Sequence, residues 1–192
     1  MKVDSRKYEG MLKEAPLVIF DLDGTLYDIV VDWKELKKRV YKLLRDSGSR
    51  EPSSLREAYL ISAENDELKE RILAVQSRME GADLDKAVPV RKGQAVLAWR
   101  KSRSMKNALF TSNTRRTAES LLDTEDFTAV VSVDDVALPK PSPDGLNRIL
   151  ERSGISPRDA ILLGNSHYDS GSADAAGVRF IDVSSVKTGW FK

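Results

Sequence analysis

The chain has 192 residues, enough for one domain with a buried core or for a core carrying a modest insert. Its 31 Lys and Arg balance 30 Asp and Glu, which leaves neither a basic footprint for nucleic acid nor an acidic tail. With no cysteine and a single histidine, disulfides, thiol chemistry, cysteine-bound zinc and multi-histidine metal sites are all excluded.

In chain order, residues 1–16 ("MKVDSRKYEGMLKEAP") are charged and lack the apolar centre of a signal peptide. No later apolar run approaches the roughly 20 residues of a membrane helix, so a soluble, cytoplasmic protein is expected. "LVIF" (17–20) is apolar without polar alternation, the pattern of a strand covered on both faces. Between 28 and 88 the spacing turns helical. Trp33, Leu36, Val40, Leu43 and Leu44 share one stripe, and Leu68, Ile72, Val75 and Met79 share another. The turn-rich "DSGSREPSS" (46–54) joins them, which predicts a helical insert built on two main helices.

A helix over about 93–103 then leads back to the alternating pattern. Apolar strands at 107–111, 129–133, 160–164 and 178–182 are separated by helical segments at 114–123, 142–154 and 168–177. In the second of these, Ser142 reads as a cap, Pro143 as the first helical residue and Gly154 as the stop; Gly177 ends the third. Strand–helix alternation predicts an α/β fold, a Rossmann-like three-layer core with a parallel sheet and a small α-helical cap inserted after the first strand. The expected division is a core of 1–27 and 89–192 and a cap of 28–88.

Ligands of such sheets bind beyond the carboxyl ends of the strands, which directs attention to the residues there. They are Asp21 and Asp23, then Thr111, Ser112 and Asn113, then Asp134, Asp135 and Lys140, then Asn165, Ser166, His167 and Asp169. Residues two apart on an extended chain point the same way, so Asp21 and Asp23 would face one ligand together. Their repulsion then favours one protonated and one ionised carboxyl. Gly24 permits a tight turn directly after them.

Four segments, in order, resemble the motifs of the haloacid dehalogenase superfamily, whose members are mostly phosphatases. They are "DLDGTL" (21–26), "LFTSN" (109–113), "PKPSPD" (139–144) and "LLGNSHYDSGSADAAG" (162–177). The first is in the phosphatase form rather than the dehalogenase form. The resemblance implies a magnesium-dependent phosphatase that hydrolyses a small phosphomonoester such as phosphoglycolate, a sugar phosphate or a nucleoside monophosphate. Asp21 would be the nucleophile, forming an aspartyl-phosphate, and Asp23 the general acid and base. Thr111 and Lys140 would assist catalysis, and together with Gly24, Ser112 and Asn113 would hold the phosphate. The Mg²⁺ ion would lie on the Asp21 carboxylate, the Asp23 main-chain carbonyl, Asn165 and Asp169.

Asn165 departs from the family pattern, which usually has aspartate there. Its amide keeps one oxygen for magnesium but removes a full charge. Two alternatives follow: a phosphotransferase or mutase on the same scaffold, and a catalytically weakened binding protein. The partner implied is a small phosphorylated metabolite, with neither nucleic acid nor membrane; the oligomeric state is left open. Blander roles suit the remaining residues. Asp134 and Asp135 would bond backbone amides or line the rim, and His167 would be a rim residue. Tyr27 or Trp33 would face the substrate, and Trp190 and Phe191 would pack the C-terminal tail.

Overall fold

The structure is a computed structural model that describes residues 5–191. Among these residues seven strands form: β1 (Leu17–Phe20), β2 (Tyr27–Asp28), β3 (Val88–Pro89), β4 (Lys106–Phe110), β5 (Ala129–Val131), β6 (Ala160–Gly164) and β7 (Arg179–Asp182). Five of them make one sheet in the order β5-β4-β1-β6-β7, with every pairing parallel. β1 lies at its centre, so the first motif emerges between β4 and β6, the strands that lead into the second and fourth motifs.

The α-helices described are α1 (Ser5–Glu14), α2 (Trp33–Asp46), α3 (Leu55–Ser62), α4 (Asp66–Gly81), α5 (Arg91–Lys101), α6 (Arg115–Leu121), α7 (Asp144–Ser153) and α8 (His167–Ala176). Alternate strand residues point to opposite faces of the sheet. Val18, Phe20, Leu109 and Leu163 pack on one side with Leu12 of α1, Val96 and Leu97 of α5 and Ala118 of α6. Leu17, Ile19, Phe110 and Leu162 pack on the other with Leu146 and Ile149 of α7 and Ala173 of α8. This is the expected three-layer α/β core. Phe191 closes the first of these clusters, edge-on to Trp99 at 5.9 Å between ring centres.

β2 and β3 form a short antiparallel ribbon through which the chain leaves the core and returns. Beyond it, α2, α3 and α4 pack on one another around Leu36, Val40, Leu44, Ala58, Leu68 and Ile72. Three cap helices thus stand where the pattern predicts two main ones. The extra helix, α3, has eight residues, too few for a long apolar period to show. It is fixed by its start, where Ser54 Oγ accepts the Glu57 N–H at 3.1 Å and the Glu57 carboxylate accepts the Ser53 N–H at 2.6 Å. Trp33 leaves the apolar stripe and is 43% exposed. A second shift concerns α7: its first helical residue is Asp144, one later than expected, with Pro143 just outside it.

Residues 5–14 also form a helix, in a segment to which the sequence pattern assigns no element. The fully buried Arg100 holds its end. Its guanidinium donates to the carbonyls of Leu12, Ala15 and Lys106 and to Asn107 Oδ1, at 2.7–3.1 Å. No helix among the described residues is long and apolar enough to cross a membrane.

Candidate active site

The loops at the carboxyl ends of β1, β4, β5 and β6 meet under the cap and enclose a cavity of about 420 Å³. That volume is within the range of small-ligand pockets. The core supplies Asp21, Asp23, Ser112, Asn113, Lys140, Asn165 and Asp169 to its wall; the cap supplies Trp33, Ser54, Leu55, Arg56, Tyr59 and Gln76.

Asp21 continues the line of β1, its N–H donating to the Leu163 carbonyl of the neighbouring strand at 3.0 Å. The chain then turns sharply, with Leu22 O accepting from the N–H groups of Thr25, Leu26 and Tyr27 at 2.8–3.2 Å. Gly24 sits in this turn at φ +73°, and a Cβ there would lie 1.9 Å from the Asn165 side-chain nitrogen. Both facts demand glycine. The turn leaves the Asp23 carboxylate accepting the Ile29 N–H at 2.9 Å.

Lys140 is buried and all three of its ammonium hydrogens are engaged. It donates to Asp21 Oδ1 at 2.7 Å, Asp169 Oδ1 at 2.6 Å and the Phe110 carbonyl at 2.8 Å. Burial opposes its charge, but the two carboxylates outweigh burial and hold the ammonium above its ordinary value. Asp21 goes the other way. Burial pushes its carboxyl up to about 6, against the pull of Lys140 and with some help from Asp169. Burial also raises Asp23, with the charges of Asp28 and Glu80 adding to the rise and the Ile29 N–H opposing it. Asp169 is buried too, yet Lys140 and its bonds from Ser166 hold it below the ordinary carboxylate range.

The Asp169 oxygens divide their work. Oδ1 takes Lys140, and Oδ2 accepts the Ser166 N–H, the Ser166 hydroxyl and the Asn165 N–H at 2.7–3.2 Å. Ser166 Oγ in return accepts the Asp169 N–H, a capping box that opens α8 and fixes the Asn165 loop. Gly164 makes room for this, since a Cβ there would lie 2.7 Å from the Asp169 carboxyl carbon.

Not every expected residue faces the cavity. Thr111 lies behind it, donating its hydroxyl to Asn113 Oδ1 at 2.9 Å and accepting the Asn113 N–H at 3.0 Å. Gly24 touches Asn165 from the side. His167 is exposed and stacks on Tyr168 at 3.9 Å, and it is Tyr168 that reaches the wall. Asp134 and Asp135 bond the main-chain N–H groups of Arg115 and Ser132. Of Tyr27 and Trp33, Trp33 is the one on the wall.

Within the first motif, Thr25 donates to Asp21 Oδ2 at 3.2 Å. Two residues at this site escape the motif pattern: Gln76 and Glu80 join the cap to the second-motif loop. A signal for these two exists in the sequence. Leu68, Ile72, Gln76 and Glu80 recur every four residues on α4 and all are buried, so two polar residues extend an apolar stripe. Polar groups at such positions call for buried partners.

A cation at this site would meet oxygen donors: the Asp21 carboxylate, the Asp23 main-chain carbonyl and the Asn165 amide. No cluster of three or more His, Cys, Asp or Glu with metal-site geometry occurs among the described residues. A sparse oxygen set fits a hard cation that retains waters and shares substrate oxygens, not one that needs a full protein cage.

The central strand of the parallel sheet ends in the two carboxylates Asp21 and Asp23, on the wall of a cavity that the helical cap helps to line. The family model for haloacid dehalogenase-like hydrolases matches residues 18–183, and the chain belongs to that family. Phosphoglycolate phosphatase 1 of Pseudomonas aeruginosa is 33% identical over 186 residues, covering 85% of this chain and 67% of that protein. Pyrophosphatase PpaX of Bacillus cereus is 35% identical over 89 residues, covering 44% of this chain and 41% of that one. Among solved structures, a subfamily IA hydrolase of the superfamily from Geobacter sulfurreducens matches with a TM-score of 0.57 at 24% identity. That match covers 86% of this chain and 88% of the other. CbbY of Rhodobacter sphaeroides, in complex with phosphate, matches with a TM-score of 0.56 at 21% identity, covering 88% and 85% of the two chains. Both share the fold.

Proposed function

We propose that the chain is a magnesium-dependent phosphatase acting on a small phosphomonoester through an aspartyl-phosphate. The observation that carries the reading is the pair Asp21 and Asp23 on one cavity wall, with Lys140 fixed against Asp21 at 2.7 Å. Asp21 attacks phosphorus as its carboxylate. The bond from phosphorus to the leaving oxygen breaks as the bond to Asp21 forms, and Asp23 gives its proton to that oxygen. Asp23 then takes a proton from a water whose oxygen displaces Asp21 from phosphorus, releasing inorganic phosphate and restoring both carboxyls. The raised Asp23 suits a group that must begin protonated. Lys140 and the Asn113 amide stabilise charge on the phosphoryl oxygens, and Thr111 holds the Asn113 amide from behind.

Magnesium would be held by the Asp21 carboxylate, the Asp23 carbonyl and the Asn165 oxygen, with Asp169 fixing the Asn165 loop. It would offset phosphoryl charge during the reaction. Cavity size favours a small substrate. The Arg56 guanidinium makes neither an ion pair nor a hydrogen bond among the described residues, which suits a leaving group with its own negative charge. Phosphoglycolate, the substrate named for the Pseudomonas relative, has such a carboxylate. A cytoplasmic location is part of the same reading.

The test is hydrolysis of p-nitrophenyl phosphate and of phosphoglycolate by the purified chain, with and without magnesium. Magnesium-dependent release of phosphate from both is expected; no release from any of a broad phosphomonoester panel would sink the reading. One observation favours a second reading, a weakened catalyst that binds phosphate: Asn165 stands at the ion's place in the fourth motif. Activity that appears only in Asn165→Asp would select it.

A further inference from the structure

The cap helix α4 sends a buried carboxylate into the core. Glu80 is fully buried, and its two oxygens take five donors. Oε1 accepts Gln76 Nε2 at 2.6 Å and Asn113 Nδ2 at 3.0 Å. Oε2 accepts the Thr114 N–H at 2.9 Å and the hydroxyls of Thr114 and Thr117, each at 2.7 Å. Gln76 also donates to the Ser112 carbonyl at 2.9 Å and accepts the Tyr59 hydroxyl. No step of the proposed reaction uses Glu80.

What Glu80 does fix is an amide. Asn113 Oδ1 accepts from Thr111 and Asn113 Nδ2 donates to Glu80, so both ends of the side chain are determined. One Nδ2 hydrogen is committed to Glu80; the other is free on a residue that lines the cavity. We infer that Glu80 is a positioning residue, a cap-borne carboxylate that orients the Asn113 amide so that phosphate recognition by the core is complete only with the cap docked. This rests on the reading of the cavity as a phosphoester site.

Glu80→Gln tests it. The Thr114 N–H can only donate, so the new amide keeps its oxygen on that side and turns its NH₂ toward Asn113 Nδ2 and Gln76 Nε2. Donor then faces donor, and Asn113 is displaced. With p-nitrophenyl phosphate as substrate and inorganic phosphate as competitive inhibitor, KM and Ki should both rise about tenfold, the scale of one hydrogen bond to a charged group. Should the Gln variant fail to fold, Glu80→Asp keeps the charge but withdraws it from Asn113, and the same rise in Ki is expected.

Thr117→Val removes a donor from the Oε2 side of the same carboxylate and should lower Tm while leaving Ki unchanged. Asn113→Ala should raise Ki as Glu80→Gln does, and the double variant should lose no more than either single. Losses that multiply, or a Glu80→Gln variant with lowered Tm and an unchanged Ki, would overturn the inference alone. A wild-type chain that neither hydrolyses phosphomonoesters nor binds phosphate would overturn the functional reading and the inference with it.

Discussion

Asp21 and Glu80 are both buried carboxylates, one on the cavity floor and one in the seam between cap and core, and their surroundings differ in kind. Asp21 takes one ammonium at 2.7 Å on Oδ1 and a long contact from Thr25 at 3.2 Å on Oδ2. Glu80 takes five donors at 2.6–3.0 Å. Burying a carboxylate costs free energy unless donors replace its lost water. At Glu80 that replacement is nearly complete, which makes the group a joint. At Asp21 it is partial, and the carboxyl is pushed up to about 6. An under-bonded carboxylate retains lone pairs for phosphorus or for a cation, which is what the proposed reaction asks of Asp21.

The sharpest way to break this contrast is Asp21→Asn, which removes the proposed nucleophile and keeps its shape. Turnover of p-nitrophenyl phosphate should fall by about 10⁴-fold or more. Stability should move the opposite way. Because the folded value of Asp21 lies above its unfolded value, the unfolded chain ionises first, and stability from this group is lost as pH rises from about 4 to about 6. In metal-free urea melts the Asn variant should therefore gain on the wild type as pH rises toward 7, and the gain should close toward pH 3. A gain that grows on acidification would show that Asp21 is well compensated and that the contrast is false.

Lys140→Met attacks the same floor from the cation side. It leaves Asp21 and Asp169 buried together without their shared ammonium, which should cost about 3–5 kcal/mol in urea melts at neutral pH. The deficit should shrink on acidification, when those carboxyls can protonate. Wild-type Lys140 has its value raised by those two carboxylates, so on the alkaline side its contribution is kept through neutral pH and is lost only in strong alkali.

Asn165→Asp sharpens the comparison by adding a charge where the floor is already under-compensated. Magnesium affinity, read from the metal dependence of hydrolysis, should rise about 10–100-fold. The metal-free variant should melt below the wild type, because a further carboxylate stands near Asp21 and Asp169.

Much of this floor is legible in the amino-acid sequence alone. Apolar strands without alternation and the residues just after them are local signals, and β1, β4 and β6 form within a residue or two of the ranges those signals predict. The seam is not legible in the same way. Glu80 lies 33 and 34 residues from Asn113 and Thr114 in the chain, and its role exists only once α4 has packed on α6 and the second-motif loop. Its trace in the sequence is a pair of polar residues at core spacing on α4. Arg100 is hidden for the same reason: an arginine near a helix end reads as solvated, yet here tertiary structure supplies its carbonyl partners. α3 is hidden by its shortness, and its cap, Ser54 to Glu57, is the usable signal.

The smallest expected effect tests whether the cap wall discriminates substrates at all. Arg56 projects from the first turn of α3 beside Ser54, on a wall whose other cation, Lys140, is committed to two carboxylates. Its exposure keeps water near any pair it forms, so the pair should contribute no more than about 1 kcal/mol, a change of about fivefold. Arg56→Ala should therefore lower kcat/KM for phosphoglycolate by up to about fivefold, with less effect at high salt. For p-nitrophenyl phosphate, whose leaving group has no second anion, kcat/KM should stay near the wild-type value. Equal losses on both substrates would assign Arg56 to the phosphate itself or to cap packing. Selectivity would then have to come from the shape that Trp33 and Tyr59 give the wall, and not from its charge.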